Sequence, residues 1–207
     1  MIIPDAYPIH LDGLLYWAIS QFVDEVGVFQ ELDRILDQSH GVYRASQALY
    51  VKSNQFNLIP VFAQRATRTN WLEYDQNIGF TKAKKSIKEA EGVFVKRLDT
   101  FMAVQAKKII MFAYGNAVGI KWFLDSLIGV GRQANAGFGE IDSVQIQSIQ
   151  SDYSWFHDGR LNRVLPVRVV DQKLDDPIRN ARYKPNYKTT EFADCYIPTI
   201  QTYKEVG

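Results

Sequence analysis

The chain has 207 residues and a net charge of +1, with 46% apolar and 13% aromatic residues, enough for one compact domain with a real core. No apolar run approaches a membrane span and no secretory signal opens the chain, so a cytoplasmic protein is expected. The single cysteine, Cys195, excludes a disulfide framework and a cysteine zinc site.

Charge is unevenly spread. Residues 1–41 hold one basic residue, Arg34, against seven acidic ones, a balance of −6, which leaves +7 on the remainder. Such asymmetry fits either two differently solvated faces or a basic side turned to phosphate.

Ile2, Ile3, Pro4 and Pro8 make an extended start. Asp12 can cap a helix whose face is Leu11, Leu14, Leu15, Ala18 and Phe22, with Gly27 as its stop. Val28, Phe29, Leu32, Ile35 and Leu36 predict a second helix. Residues 48–64 read as strand segments interrupted by Asn54 and Pro60. Residues 65–91 carry Arg65, Arg68, Lys82, Lys84, Lys85 and Lys88, as a basic arm or a solvated helix face. Residues 93–104 and 107–114 read as strands, Tyr114-Gly115-Asn116 as a turn and 118–128 as a helix.

Four glycines then fall in eleven residues, Gly129 to Gly139. Glycine takes positive φ and uncovers backbone N–H groups, which together form a concave anion site. Arg132 can fork onto a phosphate, and Gln133 and Asn135 add neutral donors and acceptors. Gly129, Gly131 and Ala134 satisfy a dinucleotide-binding spacing, but that motif needs a strand before it and a helix after it. Here a helix precedes, and the alternation of Val144 and Ile146 with Gln145 and Gln147 predicts a strand over 140–149. A Rossmann cofactor is thereby rejected, leaving a plain turn or a loop that grips a nucleic-acid backbone.

The order of elements suggests an α+β fold with a ferredoxin-like (RRM-like) βαββαβ core over 1–149, including the basic arm, and a carboxy-terminal extension of the same domain over 150–207. That extension mixes Tyr153, Trp155, Phe156, His157, Tyr183 and Tyr187 with Arg160, Arg163, Arg168, Arg179, Arg182, Lys184 and Lys188. Val164, Leu165, Val167 and Val169 fit a strand around Pro166; Pro177, Pro185 and Pro198 predict irregular chain beyond. Interleaved aromatic and basic residues suit single-stranded RNA. Packing on the core or on a partner subunit is the alternative.

Several segments resemble one family. Ile9-His10-Leu11-Asp12-Gly13-Leu14-Leu15 resembles its amino-terminal H-L-D-x-L-L signature. The loop from Gly129 to Gly139 resembles the glycine loop of the RAMP superfamily. Asp158-Gly159-Arg160-Leu161-Asn162-Arg163 resembles a D-G-x-x-x-R segment, and Arg182-Tyr183-Lys184-Pro185-Asn186-Tyr187 and Cys195-Tyr196-Ile197-Pro198 resemble the family's tail. Together they are similar to a type IV (Csf) CRISPR effector subunit of the "Cas five" kind. The resemblance implies a subunit that caps the 5′ handle of the CRISPR RNA. Its partners would be a RAMP backbone subunit, the large subunit, and target nucleic acid through the assembled complex. The family leads one to expect a full strand before the helix that begins near Asp12; the chain opens on Met1-Ile2-Ile3-Pro4, so either that strand is expected to be shortened or the chain to be truncated.

The RNA-binding residues expected on this reading are Gly129, Gly131, Arg132, Gln133, Asn135, Gly137 and Gly139, with Lys96, Arg97, Lys107, Arg160 and Arg163. A metal-independent ribonuclease is the second reading, with His10, His40 and His157 as acid–base candidates and Tyr43, Tyr153, Lys107 and Lys108 as assistants. No two histidines are close in sequence, and the resemblance implies that another subunit cuts the guide precursor, so a non-catalytic role is expected. A protein-only adaptor is the third reading. No ligand spacing points to a metal, and no cofactor is expected.

Overall fold

The computed structural model describes residues 2, 8–52, 58–65, 97–132, 134, 137–188, 190–199 and 202–204. The architecture is α+β. Residues 1–58 and 104–207 form one compact unit, and 59–103 form a second. All but the first residue of the basic arm lies outside the described residues.

In the first unit, α1 (Leu11–Ile19) buries Leu11, Leu15, Ala18 and Ile19, one stripe at helical spacing. Its amino end is not capped by a side chain, because Asp12 lies inside the first turn with its carboxylate turned to other partners. Helix α2 (Glu25–Ile35) is capped by Asp24, which accepts from the Gly27 N–H at 2.9 Å. Gly27 therefore sits in the first turn of α2 and is not the stop of α1. Helix α3 (Ala117–Leu124) is capped by Asn116, which accepts from Val118 and Gly119. Val28, Leu32 and Ile35 of α2 and Ile120 and Phe123 of α3 join the α1 stripe in one core, with Tyr43, Ala45 and Leu127.

Two short hairpins have two-residue turns at positive φ. Strands β1 (Gln38–Ser39) and β2 (Val42–Tyr43) turn at His40 and Gly41; β7 (Phe156–His157) and β8 (Arg160–Leu161) turn at Asp158 and Gly159. The main sheet joins β3 (Leu49–Lys52) to β6 (Ala106–Ile110), antiparallel with Leu49 opposite Ile110, and to β12 (Thr202–Lys204), parallel with Thr202 opposite Tyr50. A third sheet orders β10 (Ile178–Arg182), β11 (Phe192–Tyr196) and β9 (Leu165–Pro166) over a core that includes Leu161, Val164, Leu165, Tyr183 and Cys195.

The second unit contains β4 (Leu58–Arg65) paired with β5 (Arg97–Val104). Strand β4 runs through Pro60. In a two-stranded sheet each strand has an open edge, where a missing N–H is tolerated.

Three further expectations are corrected. The strand over 140–149 is absent: Glu140 bridges Gly129, and 141–149 is irregular. Val167–Val169 is a 3₁₀ turn rather than strand. The tail holds the β10–β11 hairpin, because Pro177, Pro185 and Pro198 lie outside these two strands; Pro177 and Ile197 close its open end through a 2.9 Å backbone bond.

Candidate nucleic-acid interface

The glycine loop is tied at its base. The Val130 N–H donates to Gly139 O at 2.8 Å and the Ile141 N–H to Ile128 O at 3.2 Å. Gly131, Gly137 and Gly139 all have positive φ. Gly139 is buried, and a Cβ there would stand 2.0 Å from Val130 O. Gly129 is also buried, where a Cβ would meet that of Ala134 at 3.1 Å. Gly137 is exposed, with nothing within 4 Å of a built Cβ. These contacts divide the loop into a base, where side chains do not fit, and an open rim, where only backbone conformation is demanding. Arg132 is exposed. Gln133 and Asn135 lie outside the described residues.

Below the loop runs a groove of about 990 Å³ lined by Lys107 and Lys108 of β6 together with Val130, Gly139 and Glu140. Both lysines are exposed. Acidic residues line it too. Two of them, Asp37 and Asp152, are paired with Arg44 at 3.0 and 2.6 Å. Burial pushes the Asp152 carboxyl up, but hydrogen bonds from Ser154, its N–H foremost, and then from Arg44, together with the Arg44 charge, hold it below its usual range. Arg160 is exposed on β8, Arg97 opens β5 of the second unit, and Lys96 lies outside the described residues.

Arg163 is not at the surface, and its assignment to RNA is corrected. Its residue exposure is 0%. The guanidinium donates to Asp12 Oδ2 at 3.1 Å, to the carbonyls of Ala45 at 3.0 Å and Tyr183 at 2.9 Å, and to that of Tyr43. The other Asp12 oxygen accepts from the Tyr187 hydroxyl at 2.8 Å and from the Gly13 N–H at 2.9 Å. His10 accepts the Val164 N–H on Nε2 at 3.1 Å and stacks on Tyr187 with centroids 5.2 Å apart. Burial, and then the Arg163 charge, hold the His10 imidazole well below its usual pKa. Four segments distant in sequence, around residues 12, 44, 163 and 185, thus close on one buried ion pair. Their residue types were visible, but the partner of Arg163 lies 151 positions away.

The remaining histidines stand in the two hairpins. His40 is exposed beside Ser39 Oγ. His157 meets the Tyr153 ring at 4.5 Å and stacks on Phe112 at 5.4 Å. Among the described residues, no group of three or more His, Cys, Asp or Glu could hold a metal ion, and no helix is long and apolar enough to cross a membrane.

These features define an α+β protein whose first helix is fastened to the chain before β9 through Asp12 and Arg163 and whose glycine loop has an open rim. Residues 1–198 match the family model described as CRISPR type IV associated protein Csf3, and the chain belongs to that family. Its role lies in a type IV CRISPR complex. No curated protein matches it.

Proposed function

We propose that this chain is the non-catalytic RAMP subunit of the "Cas five" kind that binds the 5′ handle of the CRISPR RNA and contacts the backbone subunit. The observation that carries this reading is the exposed rim of the glycine loop, with Arg132 and Gly137, standing over a groove that includes Lys107 and Lys108. An exposed arginine at the rim and two exposed lysines in the groove suit a phosphate chain. The antiparallel pairing of β3 with β6, with the helical core built on the neighbouring Tyr43, Ala45 and Met111, supports a ferredoxin-like core. The test is the affinity of the purified chain for a repeat-derived RNA across a salt series, with Lys107→Ala/Lys108→Ala as comparison. Weaker binding with a shallower salt slope supports the reading, and unchanged binding overturns it.

The contact of Tyr153 with His157 favours a second reading, a metal-independent ribonuclease. Of the three histidines, His10 is unsuited to it, being buried with Nε2 occupied by the Val164 N–H. Incubation of the chain with precursor RNA separates the two readings: cleavage abolished by His157→Ala would make the nuclease the better one.

A further inference from the structure

Helix α3 presents apolar surface that the fold does not cover. Val118 and Trp122 are four residues apart and share one helix face. They are 80% and 58% exposed. Phe22, itself 55% exposed, brings its ring to 5.3 Å from that of Trp122. Trp122 stands edge-on to the buried Phe123 at 4.7 Å. The exposed aromatic pair is therefore rooted in the core rather than free to swing. A contiguous apolar patch with rigid aromatic anchors is the surface that protein partners use.

The charge beside it selects the partner. Asp24 and Glu25 follow Phe22 and Val23 directly. Among the described residues, no cation pairs with either carboxylate. Arg34 is the only basic residue of 1–41 and is held by Glu31 at 2.7 Å; Lys121 of α3 is held by Asp125 at 2.7 Å. A nucleic-acid strand here would set phosphates near unpaired carboxylates, and the nearby lysine is already engaged. We propose that Phe22, Val118 and Trp122, flanked by Asp24 and Glu25, dock a protein subunit that presents an apolar cleft rimmed by lysine or arginine.

The test uses the full chain co-expressed with the other subunits of its complex. Val118→Asp, at a position too exposed to matter to the core, and Trp122→Asp should each lower incorporation at least about tenfold. The pair Asp24→Lys with Glu25→Lys should lower it as well. RNA affinity of the free Val118→Asp chain should stay within about twofold of the parent, so that this surface and the RNA reading fail separately. A photo-crosslinking amino acid placed at position 118 should capture a lysine- or arginine-containing peptide of another protein subunit. Crosslinks to RNA or to this same chain would overturn the proposal. So would incorporation unchanged by Val118→Asp.

Discussion

The carboxylate of Asp12 lies 3.1 Å from the guanidinium of Arg163, with both side chains at 0% exposure. Taking two charges out of water is costly, and such a pair persists only when its remaining donors and acceptors are satisfied. Here they are: Arg163 serves four backbone carbonyls besides Asp12, those of Tyr43, Ala45, Val164 and Tyr183, and Asp12 also accepts from Tyr187 and Gly13. The pair fastens α1 to the chain just before β9 and, through Tyr183 and Tyr187, to the chain just after β10.

The first prediction follows from that pairing. Asp12→Ala leaves a buried guanidinium without its counter-charge and should destabilise the chain by about 3–5 kcal/mol. Arg163→Met should be comparably damaging, since it strands both a carboxylate and four carbonyls. The double variant should cost less than the two singles added, with a coupling of about 1–3 kcal/mol. Urea unfolding of the four proteins measures it; strict additivity would mean that the two groups act independently.

The second concerns pH. His10 is neutral in the folded chain because burial and the Arg163 charge depress its pKa well below 6.5. The unfolded chain takes up that proton near pH 6.5, so this contribution is complete above that pH and is lost as pH falls toward the lower folded value. Stability should therefore drop between about pH 7 and pH 5. His10→Gln keeps an acceptor for the Val164 N–H but cannot titrate, and should show a shallower drop. Equal pH dependence in parent and variant would assign the effect to other groups.

The third separates the base of the glycine loop from its rim. Gly139→Ala places a Cβ against Val130 O at positive φ and should lower both melting temperature and RNA affinity. Gly137→Ala meets no atoms, so its cost should be the left-handed backbone alone, about 1–2 kcal/mol. Gly137→Val adds bulk at the rim and should reduce RNA affinity in a folded protein far more than Arg132→Ala, which should shift the salt slope by about one unit at most. A folded Gly137→Val chain with parental RNA affinity would make the loop a structural turn.

The fourth addresses catalysis. His157→Ala and Tyr153→Phe should leave the ends of guide RNA unchanged in a complete complex. Sequencing the copurified RNA decides it, and accumulation of unprocessed precursor would transfer the function to the hairpin of β7 and β8.

Local pattern carried the helices well, because each buries a stripe that repeats at helical spacing. Their ends were harder to read. Gly27 reads as a stop, yet Asp24 three residues earlier supplies the cap that starts α2 there. The alternation at Val144 and Ile146 reads as a strand, but alternation makes a strand only beside a partner, and past the Ile141 bond to Ile128 the stretch makes no bridge among the described residues. The Asp158-Gly159 pair marks a tight hairpin that composition alone could have located. Arg163 shows the limit most clearly. An arginine among aromatics suits phosphate, and only the return of the chain to α1 turns it inward.

Strand β3 leaves the main sheet at Lys52, and its neighbour β6 enters it opposite, at Ala106. The two ends of the intervening stretch are thus held side by side by the first unit itself. Lengthening a flexible connection costs only about 0.6 kcal/mol for each doubling once its ends are so placed. The position between β3 and β6 is consequently one where evolution can trade a short hairpin for an entire module without renegotiating the core, and where an engineered domain could be spliced in.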